Sequence, residues 1–223
     1  MDEGFSVEVL LPRRRARSSA IGARRPRATV VARESGEELE RIEVPLAAGK
    51  SLDAKLEAGE VAPCDLDSLH DLVGRLEERC CRSRLEALIN RRDYSRRELA
   101  DKLRADGYPD ELACNVLDRL EEVGLVSDAR YADLFVRSKI ASGWGRRKVE
   151  AELARRGVEA RSLPGWPDAY FDEDSDFERA LAIAGRRTFS GRDPYASIVR
   201  LLAGRGFSFD VARRVAERLT SEQ

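Results

Sequence analysis

An all-α array of three three-helix repeats, preceded by a short β-hairpin and a basic flexible arm, is the fold that this 223-residue chain predicts. Three observations carry the expectation. Gly107, Gly157 and Gly206 recur 50 and 49 residues apart. A leucine stands four residues before each (Leu103, Leu153, Leu202), an aliphatic four before that (Leu99, Val149, Ile198), and an apolar residue follows each glycine (Tyr108, Val158, Phe207). Aliphatics four apart share a helix face, and glycine after the last of them can take the left-handed conformation that ends a helix. A period of about fifty residues marks a repeat array whose units cannot bury their apolar faces alone. Such arrays offer long surfaces to partners more often than they enclose a catalytic pocket.

The elements follow in chain order. Residues 1–27 lack periodicity and read as a basic flexible arm, because residues 1–33 carry eight arginines against three acidic residues. Such an arm can track nucleic-acid phosphate or an acidic protein surface, or have no dedicated partner. Residues 28–66 hold a hairpin: Thr29-Val30-Val31 and Ile42-Glu43-Val44 flank Ser35-Gly36-Glu37. A lone hairpin is marginal in water, so it must pack on the amphipathic helix that Leu66, Leu69, Leu72, Val73 and Leu76 mark, or on the first repeat. This region is acidic: residues 34–80 contain thirteen acids and five bases.

Residues 67–124 make the lead-in helix and repeat one. Leu85, Leu88 and Ile89 carry its first helix, Ser95 and Glu98 start the second as a capping box, and Pro109 suits the first turn of the third. Leu112, Ala113, Val116, Leu117 and Leu120 then trace an apolar stripe. Residues 125–175 make repeat two, with Leu134, Phe135 and Ile140 on its first helix. Its third helix would carry Leu163, Trp166 and Tyr170, but Pro164, Gly165 and Pro167 interrupt it, and the acidic stretch from Asp172 to Asp176 follows. Residues 176–223 make repeat three, from Leu181, Ala182 and Ile183 to the closing stripe Val211, Ala212, Val215, Ala216 and Leu219.

Composition narrows the function. With 42% hydrophobic and 36% charged residues there is enough apolar material for helical cores, yet no run suits a membrane span or signal peptide. A cytoplasmic protein is expected. Cys64, Cys80, Cys81 and Cys114 lack paired Cys-x-x-Cys spacing and His70 is the single histidine, so free thiols fit better than zinc. A redox pair at Cys80 and Cys81 is the sharper alternative. No phosphate-binding glycine loop and no catalytic constellation occurs, so neither an enzyme nor a cofactor is expected.

Basic clusters are the remaining signal. Arg96, Arg97, Arg146, Arg147, Lys148, Arg155, Arg156, Arg186 and Arg187 fall on successive repeats and are the candidate partner-binding residues. Arg91-Arg92 and Arg213-Arg214 repeat the pattern. Lys148 and Arg155, seven apart, share a helix face. For any one pair the competing reading is solvated helix surface with local partners, such as Glu152 beside Lys148. Trp144, between Gly143 and Gly145, reads as packing between units ahead of an interface anchor.

Three stretches carry a resemblance to a known family. Ser-Arg-x-Glu-Leu at Ser95–Leu99, Leu-x-x-Asp-x-Arg-Tyr-Ala at Leu125–Ala132, and the Gly-x-Gly turn at Gly143–Gly145 appear in that order. The run from Tyr94 to Val158 resembles the RecX regulatory proteins, bacterial modulators of the RecA recombinase. The closing LLAGRGFSFDVARRVAERL, Leu201–Leu219, is similar to that family's last repeat. The resemblance spans about Leu85 to Leu219 and departs at Arg146, where the family commonly has proline. It implies a monomeric negative regulator that binds RecA, lies along the groove of the RecA–DNA filament, and limits filament growth, strand exchange and ATPase in recombination, DNA repair and the SOS response. Direct contact with single- or double-stranded DNA phosphates belongs to the same picture. The competing classes are a DNA-binding protein that works through its arginines alone and a generic helical scaffold.

Overall fold

Alternation of apolar and polar residues at Phe5, Val7 and Val9 puts one face of the first strand toward a core. The computed structural model describes residues 4–12, 26–189 and 193–221. The chain divides into two units, residues 1–126 and 127–223.

In the first unit, β1 (Phe5–Leu10), β2 (Arg27–Glu34) and β3 (Glu37–Pro45) form an antiparallel sheet in the order β1-β2-β3. Phe5 pairs with Glu34 and Leu10 with Thr29. The hairpin expected around Ser35-Gly36 is present, with positive φ of 50° and 86° at those residues, matching the twist of the strands they join. The flexible-arm expectation needs correction at both ends of its described part. Residues 5–10 are a strand, and Arg27 belongs to β2. The alternation that marks β1 covers only six residues and is easily lost beside an arginine-rich run. The arm's arginines 13, 14, 15, 17, 24 and 25 lie outside the described residues.

Helix α1 (Leu46–Glu57) lies on β2 and was not legible as a stripe, because its inner face is small: Ala48, Gly49 and Leu52. A Cβ on Gly49 would stand 2.2 Å from the Ala28 Cβ, so glycine is what lets helix and strand approach. The lead-in helix and the first helix of repeat one are a single element, α2 (Leu66–Ile89), started by a capping box between Asp65 and Ser68. Its first half buries Leu69, Val73 and Leu76 against the sheet, and its second half buries Leu85 and Leu88 against α3 (Arg96–Asp106) and α4 (Asp110–Glu122). One helix thus serves two cores. Arg27 ties them further, donating from Nη2 to the carbonyls of Gly107 (3.0 Å) and Glu43 (3.3 Å).

The second unit contains α5 (Asp128–Ala141), α6 (Arg146–Arg155), a 3-10 turn at Ala160–Ser162, α7 (Glu173–Gly185), α8 (Pro194–Gly204) and α9 (Phe209–Ser221). Where Pro164 and Pro167 fall, no α-helix forms. Trp166, Tyr170 and Phe171 close that segment as a ring cluster instead, with centroids 5.5–5.6 Å from Trp166. Tyr170 Oη donates to Asp133 on α5 at 2.8 Å. The buried face of α5 is Tyr131, Ala132 and Val136, while Leu134, expected on it, is 50% exposed.

The repeated phrase is one local structure used three times. Gly107, Gly157 and Gly206 have φ of 92°, 79° and 89°. The amide after each glycine reaches back to the leucine carbonyl: Tyr108 to Leu103 (3.1 Å), Val158 to Leu153 (3.0 Å) and Phe207 to Leu202 (3.1 Å). These bonds satisfy carbonyls that a helix end leaves open and fold the following apolar side chain onto the helix just finished. In all three copies the leucine has no exposed surface.

Repeats two and three meet through backbone. Gly145 N donates to the Arg205 carbonyl (2.9 Å) and Arg147 N to the Gly206 carbonyl (3.1 Å). A Cβ on Gly145 would lie 2.4 Å from Gly206 C and O and from Phe207 N, all of them backbone atoms that cannot rotate away.

Two stability outcomes follow. Leu103→Asp, Leu153→Asp and Leu202→Asp should each destabilise their own repeat by about 4 kcal/mol or more, since a packed side chain is lost and a carboxylate is buried without a partner. Thermal melts like the parent's for all three would contradict the repeat reading. Gly145→Ala should lower the melting temperature of the second unit although φ there is −85°, a value open to alanine, because the clash is steric. Overpacking of this kind costs about 1–3 kcal/mol. The same change at Gly185, where the space is open, serves as the control and should be neutral or stabilising.

Candidate partner-binding surface

The basic residues separate by what they already hold. On α3, Arg96 is half-buried and bridges Asp118 (2.7 Å) and Glu121 (2.6 Å) of α4, so it fastens two helices. Arg97, one position on and facing solvent, has no ion pair among the described residues.

The same sorting applies to α6, whose five bases gave the densest sequence signal. Arg146 pairs with Glu150 at 2.9 Å. Arg155 and Arg156 both close on Glu152, at 2.6 and 2.8 Å. Arg156 also donates to Tyr131 Oη at 2.8 Å and lies 5.0 Å from the centroid of the Phe135 ring, a structural position inside the repeat core. The i,i+4 pairing expected between Lys148 and Glu152 is not made. Glu152 is taken by the two arginines, and Lys148 Nζ sits 4.3 Å from the centroid of the Trp144 ring. Trp144 itself is half-buried and packs edge-on to Phe135. Arg147 is exposed and without an ion pair among the described residues. It nevertheless lines, with Arg146, a cleft of about 560 Å³ whose other charged walls are Glu150, Asp168, Asp172, Glu173, Asp176 and Asp210. That cleft is negative on balance and does not favour phosphate.

Arg186 and Arg187 behave differently. They follow α7, face solvent, and have no carboxylate partner among the described residues. Arg205, at the end of α8, joins them around one depression of about 330 Å³. A search for basic pairs passes over Arg205, because it stands alone in the sequence. Its signal is its place immediately before the repeat glycine.

Electrostatics agree with this division. Hydrogen bonds from Arg155 above all, and from Arg156, hold the Glu152 carboxyl down at about 2 against partial burial, which pushes it up. The cysteines show the opposite effect. Burial pushes the Cys81 thiol up to about 12 and raises Cys80 as well, so neither is a ready thiolate near neutrality. No group of metal-ligating side chains occurs among the described residues, and no described helix is long and apolar enough to cross a membrane.

Tandem three-helix units, each turned by a glycine, define a helical-repeat protein. The comparisons narrow this class. The family model for the first three-helix domain of RecX matches residues 81–120, and the model for the second matches residues 127–161. Regulatory protein RecX of Chromohalobacter salexigens is 44% identical over 131 residues, 56% of this chain and 84% of that protein. The protein of the same description from Pseudomonas entomophila is 36% identical over 133 residues, 57% of this chain and 84% of its own length. Among solved structures, a regulatory protein RecX aligns with TM-score 0.60 at 16% identity over 96% of this chain and 98% of its own. RecX from Lactobacillus salivarius gives 0.56 at 19% over 65% and 97%. The chain belongs to the RecX family of regulatory proteins.

Glu152 supplies a pH test. Its folded value is depressed below the ordinary 4.3 or so of an unfolded glutamate, so its stabilisation is fully present above about pH 4.3 and is lost as pH falls through about 2. Glu152→Gln should therefore be less stable than the parent at neutral pH, with the gap closing between pH 5 and 2. Urea midpoints across that range check it; a gap independent of pH would remove Glu152 from the acid response.

Proposed function

We propose that this protein is a negative regulator of a RecA-type recombinase, bound along the groove of the recombinase–DNA filament and limiting filament growth, strand exchange and the ATPase that depends on DNA. The observation that carries the reading is its kinship with proteins described as regulatory protein RecX, over most of their length. The geometry adds a physical route. Repeats each bring a modest contact, and contacts on linked units sum through effective concentration. A protein seated in a filament groove competes for the space that a second DNA needs. No residue of the chain has to perform chemistry.

Within this reading the nine candidate bases do not contribute equally. Arg96, Arg146, Arg155 and Arg156 are engaged by carboxylates, whereas Arg97, Arg147, Lys148, Arg186 and Arg187 have none among the described residues. Steering toward a negatively charged groove comes from charges that are not already neutralised. The second reading, direct DNA binding, is favoured by one observation only: the convergence of Arg186 and Arg187 with Arg205.

The test is the ATPase of a RecA-type recombinase on single-stranded DNA with increasing amounts of this protein. The rate should fall and saturate. Arg97→Gln with Lys148→Gln should weaken inhibition several-fold, while Arg146→Gln with Arg155→Gln changes it little, although both pairs remove the same charge. An unchanged rate at saturating protein would remove the recombinase from the account.

A further inference from the structure

We infer that the depression bounded by Ser142, Gly143, Ile183, Arg186, Arg187 and Arg205 is a phosphodiester-binding site, one that seats the backbone of a nucleic acid strand where repeats two and three meet. The inference rests on the second reading, direct DNA contact, and names the part of the surface where that contact falls. Its test compares the parent with variants on naked DNA, so the two can fail separately.

The site is built by three chain ends of helices. Ser142 caps the C-terminus of α5, Arg186 that of α7 and Arg205 that of α8. Helix C-termini are negative, and a basic residue at each is a common way to balance them. Magnitude decides whether that accounts for the cluster. Each helix end presents roughly half a negative charge, and three arginines carry twice the total, so a clear positive excess remains. Among the described residues no carboxylate lines the depression, in contrast to the cleft beside Arg147, where six acids outnumber two arginines.

The backbone makes room for the cluster. Gly143 has φ of 78°, and a Cβ there would fall 2.7 Å from Ile183 Cδ1 and 3.3 Å from Arg205 Nη1. Glycine therefore lets the Arg205 guanidinium lie against the α5–α6 turn, half-buried and oriented by the turn and not free in solvent. The backbone hydrogen bond from Gly145 N to the Arg205 carbonyl, 2.9 Å, fixes the same residue from the other side. The result is one half-buried guanidinium flanked by two exposed ones.

Ligand class follows from that arrangement. A single carboxylate is satisfied by one guanidinium fork and would leave two arginines unused. A phosphodiester chain presents a charge at every nucleotide and accepts from several directions, and arginine is the side chain best matched to it. Among the described residues none of the walls is an aromatic ring, so bases have nothing there to stack on and recognition is of the backbone, without sequence preference.

The experiment is fluorescence anisotropy of the full chain with a labelled single-stranded oligothymidine across a salt series. Three phosphate contacts contribute a slope of about −2 in log K against log salt on single strands. Arg186→Gln, Arg187→Gln and Arg205→Gln together should remove that much of the parent's slope. The affinity loss should be about a hundredfold near 0.1 M salt and vanish near 1 M. A second variant, Ser142→Glu, keeps the arginines and places a carboxylate among them; it should lose affinity similarly and guards against a folding defect in the triple change. The charge control is Arg104→Gln, Arg137→Gln and Arg155→Gln, three exposed arginines already closed on carboxylates, and it should retain the parent's slope. The proposal is overturned if the parent does not bind the oligonucleotide, if the triple variant binds as the parent does, or if the charge control loses as much. It is equally overturned if the triple variant loses recombinase binding while keeping DNA affinity, which would assign the pocket to a protein. If DNA binding falls as expected but the recombinase ATPase never responds to the parent, the pocket stands and the filament reading falls.

Discussion

Repeats two and three are held together by backbone touching backbone at Gly145 and Gly206, and much of the second unit depends on that approach. Two main-chain hydrogen bonds cross the junction, from Gly145 to Arg205 and from Arg147 to Gly206. They exist only because no Cβ stands between the chains. Backbone contacts have a fixed geometry that side-chain packing does not, so the start of α6 and the end of α8 take one register against each other. Phe207, next to Gly206, is then directed into the core of repeat three, where it is 1% exposed. The same junction presents Arg205 at the α5–α6 turn. A packing constraint and a candidate binding feature thus share a cause.

Charge pairing is the second organising effect. This chain has nearly equal numbers of bases and acids, 40 and 41, and four of the nine candidate bases that look like a stripe in sequence are consumed locally. Arg96 clamps α3 to α4, and Arg156 spans Glu152 and Tyr131 within repeat two. Partly buried pairs of this kind position helices, whereas exposed pairs contribute little to stability. The proposed contacts with a partner fall to the cations that no described carboxylate reaches. That set is smaller than the sequence suggests, and its weight lies nearer repeat three than the five-base run on α6 implies.

The repeats were legible because their signal is long. Three glycines at matching spacing, each after two aliphatics four apart, mark a repeated helix ending, and Leu103, Leu153 and Leu202 occupy equivalent buried positions. The capping box at Ser95 and Glu98 was equally readable, since it is a local contract between two side chains. Other features were hidden for physical reasons. Helix α1 packs through alanine and glycine, which leave no apolar stripe. Strand β1 is only six residues long and gains its stability from β2, seventeen positions after its end. Candidate site residues could be named from sequence but not ranked, because ranking depends on which carboxylate folds against which base. Arg205 could not be named at all from pairs of basic residues. Its neighbours Arg186 and Arg187 are remote in sequence and meet it only through the packing of α7 and α8.

The partner proposed for this protein is a recombinase–DNA filament, more than either of its components. The most direct measurement compares the affinity of the full chain for three partners in one buffer: the assembled filament, free recombinase and free single-stranded DNA. Binding should be tightest to the filament, by at least about tenfold, or some 1.4 kcal/mol. Binding to DNA alone should be weaker and strongly salt-dependent. Equal affinity for filament and naked DNA would contradict the proposal and leave a DNA-binding protein in its place.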